Sequence, residues 1–424
     1  MPNFDATLRN ASDVALAAYA DRLAADIATT AAHYDEIGEF PHAHFDLLRK
    51  RGALTLTVPK ALGGKGLSLY ELLLFQERLA RGSGSTALSL GWHLMAFAYL
   101  SFDLKWKTEV FERLASDVVH KGHLINILVT ERQAGNLLRG ARASTVARKT
   151  EAGYVIRGTK AFCSAAPALK QMIVYAWLED EGRMAEFLVP TSERVRIIEN
   201  WNTLGMRSTA SHDIAFDDVI VPHEALLSYI DKGKSSSFTT GSRVFGLQIA
   251  AVYLGIATAA RDFALEFAEG YRSASLGGAI LDAPQVQHKL GELELLVGAS
   301  KTLLYGLAER WEHHPAIQHH VDDEVAITKY TVTNNAIRIV ELALSIVGGH
   351  GLSRNFALER YFRDVQCGLY NPPQDDMVLT NLAQAATARQ RARPAQSAAP
   401  AQPANWPAEV NTPQPKRQAQ ALAA

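Results

Sequence analysis

Cysteine is nearly absent from this sequence, since its 424 residues include only Cys163 and Cys367. The two lie far apart and match neither metal-ligand nor redox spacing, which argues against zinc ribbons and thiol redox motifs. So little use of thiols is typical of a reducing, intracellular compartment. The N-terminal segment also lacks the apolar core of a signal peptide. We therefore expect a cytoplasmic protein.

An excess of one charge and long apolar runs are missing as well. The 43 basic and 44 acidic residues give a formal net charge of −1, and such a balanced chain has no global field that attracts nucleic acid or anionic membranes. The longest apolar runs, near residues 88–100 and 246–260, fall short of the roughly 20 residues that span a bilayer. Neither nucleic acid nor a membrane is expected as a partner.

What the sequence does contain is a change of texture along the chain. Residues 1–122 are dominated by Ala, Leu and charged residues between Gly- and Pro-marked turns, which predicts a helical domain. Residues 123–235 hold short, closely spaced runs rich in Val, Ile, Tyr and Phe, which are typical of a β domain. Helical periodicity returns over residues 236–392, where Pro284 suits the first turn of a long helix. Residues 393–424, rich in Pro and Ala, are predicted to be disordered.

Several polar motifs stand out, and each is weak alone. The run HHPAIQHH at 313–320 offers imidazole pairs, but its Pro and the lack of a supporting Cys favour a solvated loop, so no metal site is predicted. The run GGHG at 348–351 could present backbone N–H groups to a phosphate or could only end a helix. Hydroxyls in TERQAG at 130–135 and KAFCSAA at 160–166 could bind a planar heterocycle or only cap turns.

In combination these motifs resemble the acyl-CoA dehydrogenase family of flavoproteins. The resemblance covers roughly residues 15–390 and rests on motifs that occur in the family order, namely FPHAHFDLLRKRGALTLTVPKALGGKGLS, VTERQAG, GYVIRGTKAFCSAA, WNTLGMRSTASHDIAFDDVIVP, PQVQHKLGEL and SIVGGHGLSRNFALERYFRDV. It implies an α+β fold with an N-terminal helical domain, a central β-barrel-like domain and a C-terminal four-helix bundle. It also implies FAD, a homotetramer or homodimer, an acyl-CoA substrate, and an electron-transfer flavoprotein or oxygen as electron acceptor.

The resemblance also implies which residues hold FAD. Thr130 and Asn136 match the residues that contact the flavin pyrimidine, although Asn136 replaces a Ser. Phe162 and Ser164 match a Trp-x-Thr motif that packs on the flavin and bonds its N5. Arg272 matches an Arg that reaches the pyrophosphate of the neighbouring subunit's flavin. The glycines that admit the other part of the dinucleotide match Gly348, Gly349 and Gly351.

The catalytic base of the family has no match in this chain. In the family a Glu shortly after an Arg-Asp pair takes the α-proton of the thioester. Here the pair is Arg363-Asp364, and the Glu position falls on Asn371 or Pro372, neither of which is basic. Some members carry the base on an earlier helix, but that position falls near Phe245 and Gly246, in a stretch without Asp or Glu.

Asp375 and Asp376 remain as candidates for the base, because they lie only a few residues downstream of the usual position, and Asp375 is the one we select. An alternative is that this segment only starts a helix, with Asn371 as the N-cap and Pro372 as the first helical residue. Asp375 and Asp376 would then lie near the helix N-terminus, where the dipole stabilises their charge. This structural interpretation competes directly with the catalytic one.

Three functions therefore stay open. The first is an FAD-dependent acyl-CoA dehydrogenase that uses a displaced base, Asp375. The second is a flavin-dependent monooxygenase on the same fold, which uses reduced flavin and oxygen and needs no carboxylate for an α-proton. The third is a non-catalytic flavin- or CoA-binding protein. The family resemblance favours the dehydrogenase, and the missing Glu favours the monooxygenase.

Overall fold

The computed structural model describes residues 5–102, 106–132, 142–230, 237–273 and 277–392. The N-terminal part is helical. Its first helix is capped by Asn10, and the third begins with a capping box in which Ser68 and Glu71 bond each other's backbone N–H groups. The helices are α1 (Ala11–Ile37), α2 (His42–Lys50), α3 (Leu69–Ala80), α4 (Gly84–Phe102) and α5 (Thr108–Lys121).

The middle part is an eight-stranded sheet. Its strands are β1 (Leu124–Leu128), β2 (Val146–Thr150), β3 (Gly153–Lys160), β4 (Leu169–Leu178), β5 (Arg183–Pro190), β6 (Val195–Ile198), β7 (Asp213–Val221) and β8 (Leu226–Ile230). The order is β6-β7-β3-β2-β4-β5-β8, and β1 pairs in parallel with β4. The strands alternate buried and exposed residues only in part: β4 in particular has five consecutive buried residues.

Long helices make up the C-terminal part. They are α6 (Ser237–Gly270), α7 (Pro284–His313), α8 (Asp322–Val347), α9 (Leu358–Gln366) and α10 (Asp375–Arg391), with a short hairpin of β9 (Arg272–Ser273) and β10 (Gly278–Ala279) after α6. Pro284 is the first residue of α7, as the sequence predicts. The residues up to Val378 form one compact unit, and the chain from Leu379 onward belongs to a second.

The helix α6 is the most buried of the C-terminal helices. It packs against α3, α4, α7 and α8. Its 28-residue segment Arg243–Gly270 is long and apolar enough to cross a membrane by length and composition. The continuous apolar run near residues 246–260 is shorter than this helix, so the sequence alone underestimates its length. However, 94% of its most apolar window is buried inside the protein. Burial on all sides identifies it as a core helix of the bundle.

The α+β fold class, with helices before and after a central sheet, is confirmed. The domain limits at residues 122, 235 and 392 stay predictions. The tail, 393–424, lies outside the described residues.

Candidate functional site

Three of the residues predicted to bind flavin lie close together. Thr130 follows β1, and Phe162 and Ser164 follow β3. The backbone N–H of Ala161 donates to the Thr130 carbonyl at 2.8 Å, which joins the two segments. Asn136, the fourth predicted residue of this group, lies outside the described residues. The sheet therefore brings together residues that are about thirty positions apart in the chain.

The Phe162 side chain is held in an exposed position. Its φ of 58° is unusual for a residue with a side chain, and the residue is 51% exposed. The ring packs edge-on against Trp201 at 6.2 Å, and the Arg132 guanidinium lies 5.1 Å from its centroid. Arg132 is itself held by Asp213, with 2.7 Å between Nε and Oδ2. An aromatic ring fixed this way can stack on a planar heterocycle.

A chain of hydroxyl groups connects Ser164 to α4. The Thr209 hydroxyl donates to the Met206 carbonyl at 2.9 Å and lies 2.7 Å from the Ser211 hydroxyl, which lies 2.9 Å from Ser164 Oγ. Since each hydroxyl carries one proton, Ser211 donates to Thr209 and Ser164 donates to Ser211. The Ser164 oxygen keeps its acceptor capacity for a ligand. On the other side, Ser85 of α4 contacts the Met206 sulfur at 3.8 Å.

A buried ion pair between Glu131 and Lys160 lies next to Thr130. Glu131, next to Thr130, accepts from Lys160 Nζ at 2.6 Å and from the backbone N–H groups of Ser144 and Thr145. Burial alone would raise the pKa of the Glu131 carboxyl, but the Lys160 charge and the hydrogen bonds outweigh it, so the pKa is lowered. Burial lowers the pKa of the Lys160 ammonium despite the attraction of Glu131. The pair ties the end of β1 to β3.

The other predicted cofactor residues form a second group on the C-terminal helices. Arg272 lies just beyond α6, and its neighbour Tyr271 places its ring 5.4 Å from the His350 ring in GGHG. Gly348 has φ 67°, which favours glycine. A Cβ added at Gly348 or Gly349 would meet no atom within 4 Å, so the backbone there is open to a ligand.

Gly351 has a different environment from the other two glycines. A Cβ at Gly351 would lie 3.0 Å from the Leu344 side chain, so packing against this leucine favours glycine at this position. Next to the group is a cavity of about 350 Å³ where α6, α7 and α8 end or begin. Phe267, Lys289 and His350 are among its lining residues. Aromatic walls beside an open backbone and a cation suit an anionic ligand with a ring.

Asn371 does not cap α10, so that prediction is wrong. The helix begins four residues later, at Asp375. The Asn371 amide oxygen instead accepts from the buried Tyr253 hydroxyl at 2.7 Å. Pro372 also cannot take the first helical position readily, because Pro373 after it disfavours helical geometry. Asp375 itself is in the first turn of the helix, as expected.

Asp375 is held by two partners. Its Oδ1 lies 3.0 Å from Lys329 Nζ, and its Oδ2 accepts from Asn334 Nδ2 at 2.7 Å. The Lys329 side chain is fully buried, and burial lowers the pKa of its ammonium although Asp375 opposes this. A Cβ at Gly246 would lie 4.0 Å from Lys329 and 3.8 Å from Pro373. Gly246, the alternative base position, therefore packs near Pro373 and the Cβ of Lys329, the lysine whose ammonium meets Asp375.

Metal chemistry has no support in the described part of the chain. Within those residues no group of three or more His, Cys, Asp or Glu side chains could hold a metal ion. His313, His314 and His320 are exposed where α7 connects to α8.

Three family models match the chain in order. The acyl-CoA dehydrogenase N-terminal domain matches residues 13–103, the middle domain 126–219 and the C-terminal domain 243–370. A curated relative, the putative acyl-CoA dehydrogenase YdbM of Bacillus subtilis (strain 168), is 39% identical over 363 residues, which cover 85% of this chain and 94% of the relative. The chain belongs to the acyl-CoA dehydrogenase family.

Other relatives in the family differ in what they act on. The amino sugar nitrososynthase DnmZ of Streptomyces peucetius is 28% identical over 349 residues, covering 80% of this chain and 84% of the relative. The solved structure of FMN-bound TdsC from Paenibacillus sp. A11-2 has a TM-score of 0.80 at 24% identity and covers 90% of this chain and 99% of its own. That structure shows the shared fold. The family comprises flavin-dependent oxidoreductases and related enzymes, so membership alone leaves the reaction open.

Arg132 and Trp201 both contact Phe162, although the sequence pattern assigned neither of them a role. Arg132 faces the Phe162 ring, and the Trp201 indole donates to the Met206 carbonyl at 3.1 Å. Trp201 opens the motif WNTLGMRST, which carries part of the family resemblance. That motif was the available signal. The contacts themselves join β7 to the loops after β1 and β3, and no local pattern indicates them.

Proposed function

We propose that this chain is an FAD-dependent oxidoreductase that forms a double bond between the α and β carbons of an acyl-CoA thioester. The position of Asp375 supports this proposal best, because its carboxylate is bonded to Lys329, whose Cβ would lie 4.0 Å from a Cβ placed at Gly246. The family places its base either at that helix position or in the segment that leads to α10. We propose that Asp375, a carboxylate displaced along this segment, takes the same role.

In this proposal each residue has a limited task. Asp375 takes the α-proton, while Lys329 and Asn334 hold its two oxygens in place. Phe162 would stack on the flavin ring, and Ser164, whose own proton goes to Ser211, would accept a hydrogen bond from the N5–H of the reduced flavin. A bound flavin would supply the acceptor for the hydride that leaves the β carbon. An electron-transfer flavoprotein would then be the electron acceptor.

We propose FAD rather than FMN because the chain carries the second group of residues on the C-terminal helices. Arg272, the open backbone at Gly348 and Gly349, and the adjoining cavity suit a pyrophosphate and an adenine ring, which FMN lacks. The family resemblance implies that this group serves the flavin of a neighbouring subunit. A homodimer or homotetramer is therefore part of the proposal.

The cofactor proposal is tested by chromatography of the flavin released by acid from the purified protein. We expect FAD, and we expect Arg272→Ala to retain at least about tenfold less of it after dialysis, because a charge-assisted contact to phosphate contributes roughly 1.5–3 kcal/mol. The exposed Arg113 on α5 gives the matched control, Arg113→Ala. Release of FMN alone, or equal FAD retention in both variants, would contradict the proposal.

The reaction is tested by anaerobic titration of the oxidised holoenzyme with butyryl-CoA, isovaleryl-CoA and octanoyl-CoA. If the chain is a dehydrogenase, at least one thioester bleaches the flavin absorbance near stoichiometric addition, because the reduced flavin is not reoxidised in the absence of oxygen. The free acids serve as controls. Absence of bleaching by every thioester sinks the dehydrogenase proposal.

The second candidate is a flavin-dependent monooxygenase. It is favoured by the fact that both Asp375 oxygens are already bonded, to Lys329 and Asn334. Such a reaction needs no carboxylate to take an α-proton, and oxygen would be the electron acceptor. The amino sugar nitrososynthase relative supports chemistry other than thioester oxidation in this family. Substrate-dependent oxygen consumption with supplied reduced flavin would favour this candidate, and a non-catalytic flavin- or CoA-binding protein would show neither activity.

A further inference from the structure

Three polar side chains on α4 and α6 are buried without a hydrogen-bond partner among the described residues. They are the Ser89 hydroxyl, the Trp92 indole N–H and the Gln248 amide, in which neither the nitrogen nor the oxygen is bonded. Ser89 is 2% exposed and Gln248 is fully buried. Buried polar groups in folded proteins are nearly always bonded, because an unpaired one loses its water contacts without compensation. Three together indicate a missing hydrogen-bonding partner.

The three groups are neighbours. The Trp92 ring lies 4.4 Å from the Phe245 ring, and Gln248 is one turn along α6 from Phe245. A Cβ at Gly91 would lie only 1.8 Å from Gln248 Nε2, so the amide lies against α4 beside Trp92. Ser89 precedes Trp92 by three residues, which places both on one face of α4. We call Ser89, Trp92 and Gln248 the polar trio.

The polar trio adjoins the candidate flavin site. Ser85, Ser89 and Trp92 follow one another at spacings of four and three residues, so they lie along a single face of α4. Ser85 contacts Met206, from which the hydroxyl chain leads to Ser164. The face that carries the trio is therefore continuous with the residues proposed to orient the flavin.

We propose that the polar trio binds a neutral hydroxyl or carbonyl group of the substrate and selects against an alkyl chain of equal length. Trp92 can only donate, whereas Ser89 and Gln248 can both donate and accept. The trio can therefore bond a hydroxyl, which also does both, or a carbonyl, which only accepts. The nearest charged side chain along α6, Arg243, is held by Asp322 at 2.5 Å, so the site does not call for a charged ligand. This inference rests on the proposed function for one point, namely that the substrate is a CoA thioester.

The test compares dissociation constants for pairs of CoA thioesters that bear either a hydroxyl or a methyl group at the same carbon, from C3 to C6. Binding is measured anaerobically from the perturbation of the flavin spectrum, so turnover is not required. We expect the native holoenzyme to prefer one hydroxylated member by at least about tenfold. In Gln248→Met, where the new side chain has a size similar to that of glutamine, the preference for the hydroxylated thioester is expected to fall below about threefold.

Thermal unfolding supplies a second readout. Gln248→Met is expected to raise the melting temperature by on the order of 2 °C, because an apolar side chain carries no unpaired group into the core. Gln76 on α3 is the matched control: it is also fully buried, and its amide is unbonded among the described residues. Gln76→Met is expected to raise the melting temperature in the same way and to leave the preference for hydroxylated thioesters intact.

Each outcome decides the matter. Equal binding of hydroxyl and methyl thioesters, or a preference that survives in Gln248→Met, overturns the inference and indicates that the trio holds only water. If no thioester binds at all, the proposed function fails instead. The trio is then tested with 1,4-butanediol, which should raise the melting temperature of the native protein more than that of Gln248→Met. An equal rise in both overturns the inference.

Discussion

Replacing Glu131 with alanine is expected to lower the free energy of unfolding by about 4 kcal/mol, because it leaves a buried ammonium without its counter-charge. The Lys160 side chain is 0% exposed and Glu131 is 3% exposed. After the change, the Val129 carbonyl, at 3.2 Å, would be the acceptor left to Lys160 Nζ within the described residues. The backbone N–H groups of Ser144 and Thr145 would also lose their acceptor.

Urea-induced unfolding followed by circular dichroism measures this effect. The matched control is Glu151→Ala, since Glu151 is exposed in the turn between β2 and β3. The double change Glu131→Leu with Lys160→Met should recover most of the stability, because apolar residues of similar size often replace a buried pair without loss. An unfolding midpoint of Glu131→Ala equal to that of the native protein would show that the pair is not buried as described.

The same variant should also hold flavin less well. Glu131 adjoins Thr130, and its bonds to Lys160 and to the backbone N–H of Ser144 fix the segment that follows β1. Loosening this support would move Thr130 relative to Phe162 and Ser164. The ratio of flavin to protein absorbance after gel filtration reports it, and the double variant should lie between the native protein and Glu131→Ala.

Replacing Asp375 with asparagine is expected to slow flavin reduction by acyl-CoA about 10²- to 10⁴-fold, the usual contribution of a general base. Asparagine keeps the shape of the side chain and an oxygen that can accept from Lys329, but it cannot take a proton. The variant should also be less stable by about 2 kcal/mol, since the fully buried Lys329 loses its counter-charge. Stopped-flow absorbance under anaerobic conditions gives the rate.

Two further variants separate chemistry from folding. Asp376→Asn changes the adjacent, exposed carboxylate and should reduce flavin at the native rate. Lys329→Met removes the cation that neighbours Asp375 but keeps the carboxylate. Flavin reduction should therefore remain measurable in this variant. A native rate of flavin reduction in Asp375→Asn would exclude Asp375 as the base and leave the monooxygenase as the better proposal.

Local signals predicted much of this fold because they act over a few residues. Pro284 begins α7 because the N–H of a first helical residue has no acceptor within the helix, so proline, which lacks this N–H, loses nothing there. The β-rich texture after residue 123 and the return of helical spacing both match the observed elements. The helix start near Asn371 was mispredicted because the tertiary partner Tyr253 uses the Asn371 side chain, and because Pro373 restricts the residue before it.

By itself, the sequence determined the class of the protein: its helix–sheet–helix order, its family and the residue types offered to a flavin. Only the tertiary structure decided which of those residues meet, because their contacts join segments far apart in the chain. It paired Asp375 with a buried lysine 46 residues away, and it placed the Gln248 amide against α4 with no hydrogen-bond partner in the part of the chain that the structure describes. Periodicity and propensity describe neighbours along one element, whereas a buried charge or an unpaired amide depends on what another element places opposite it.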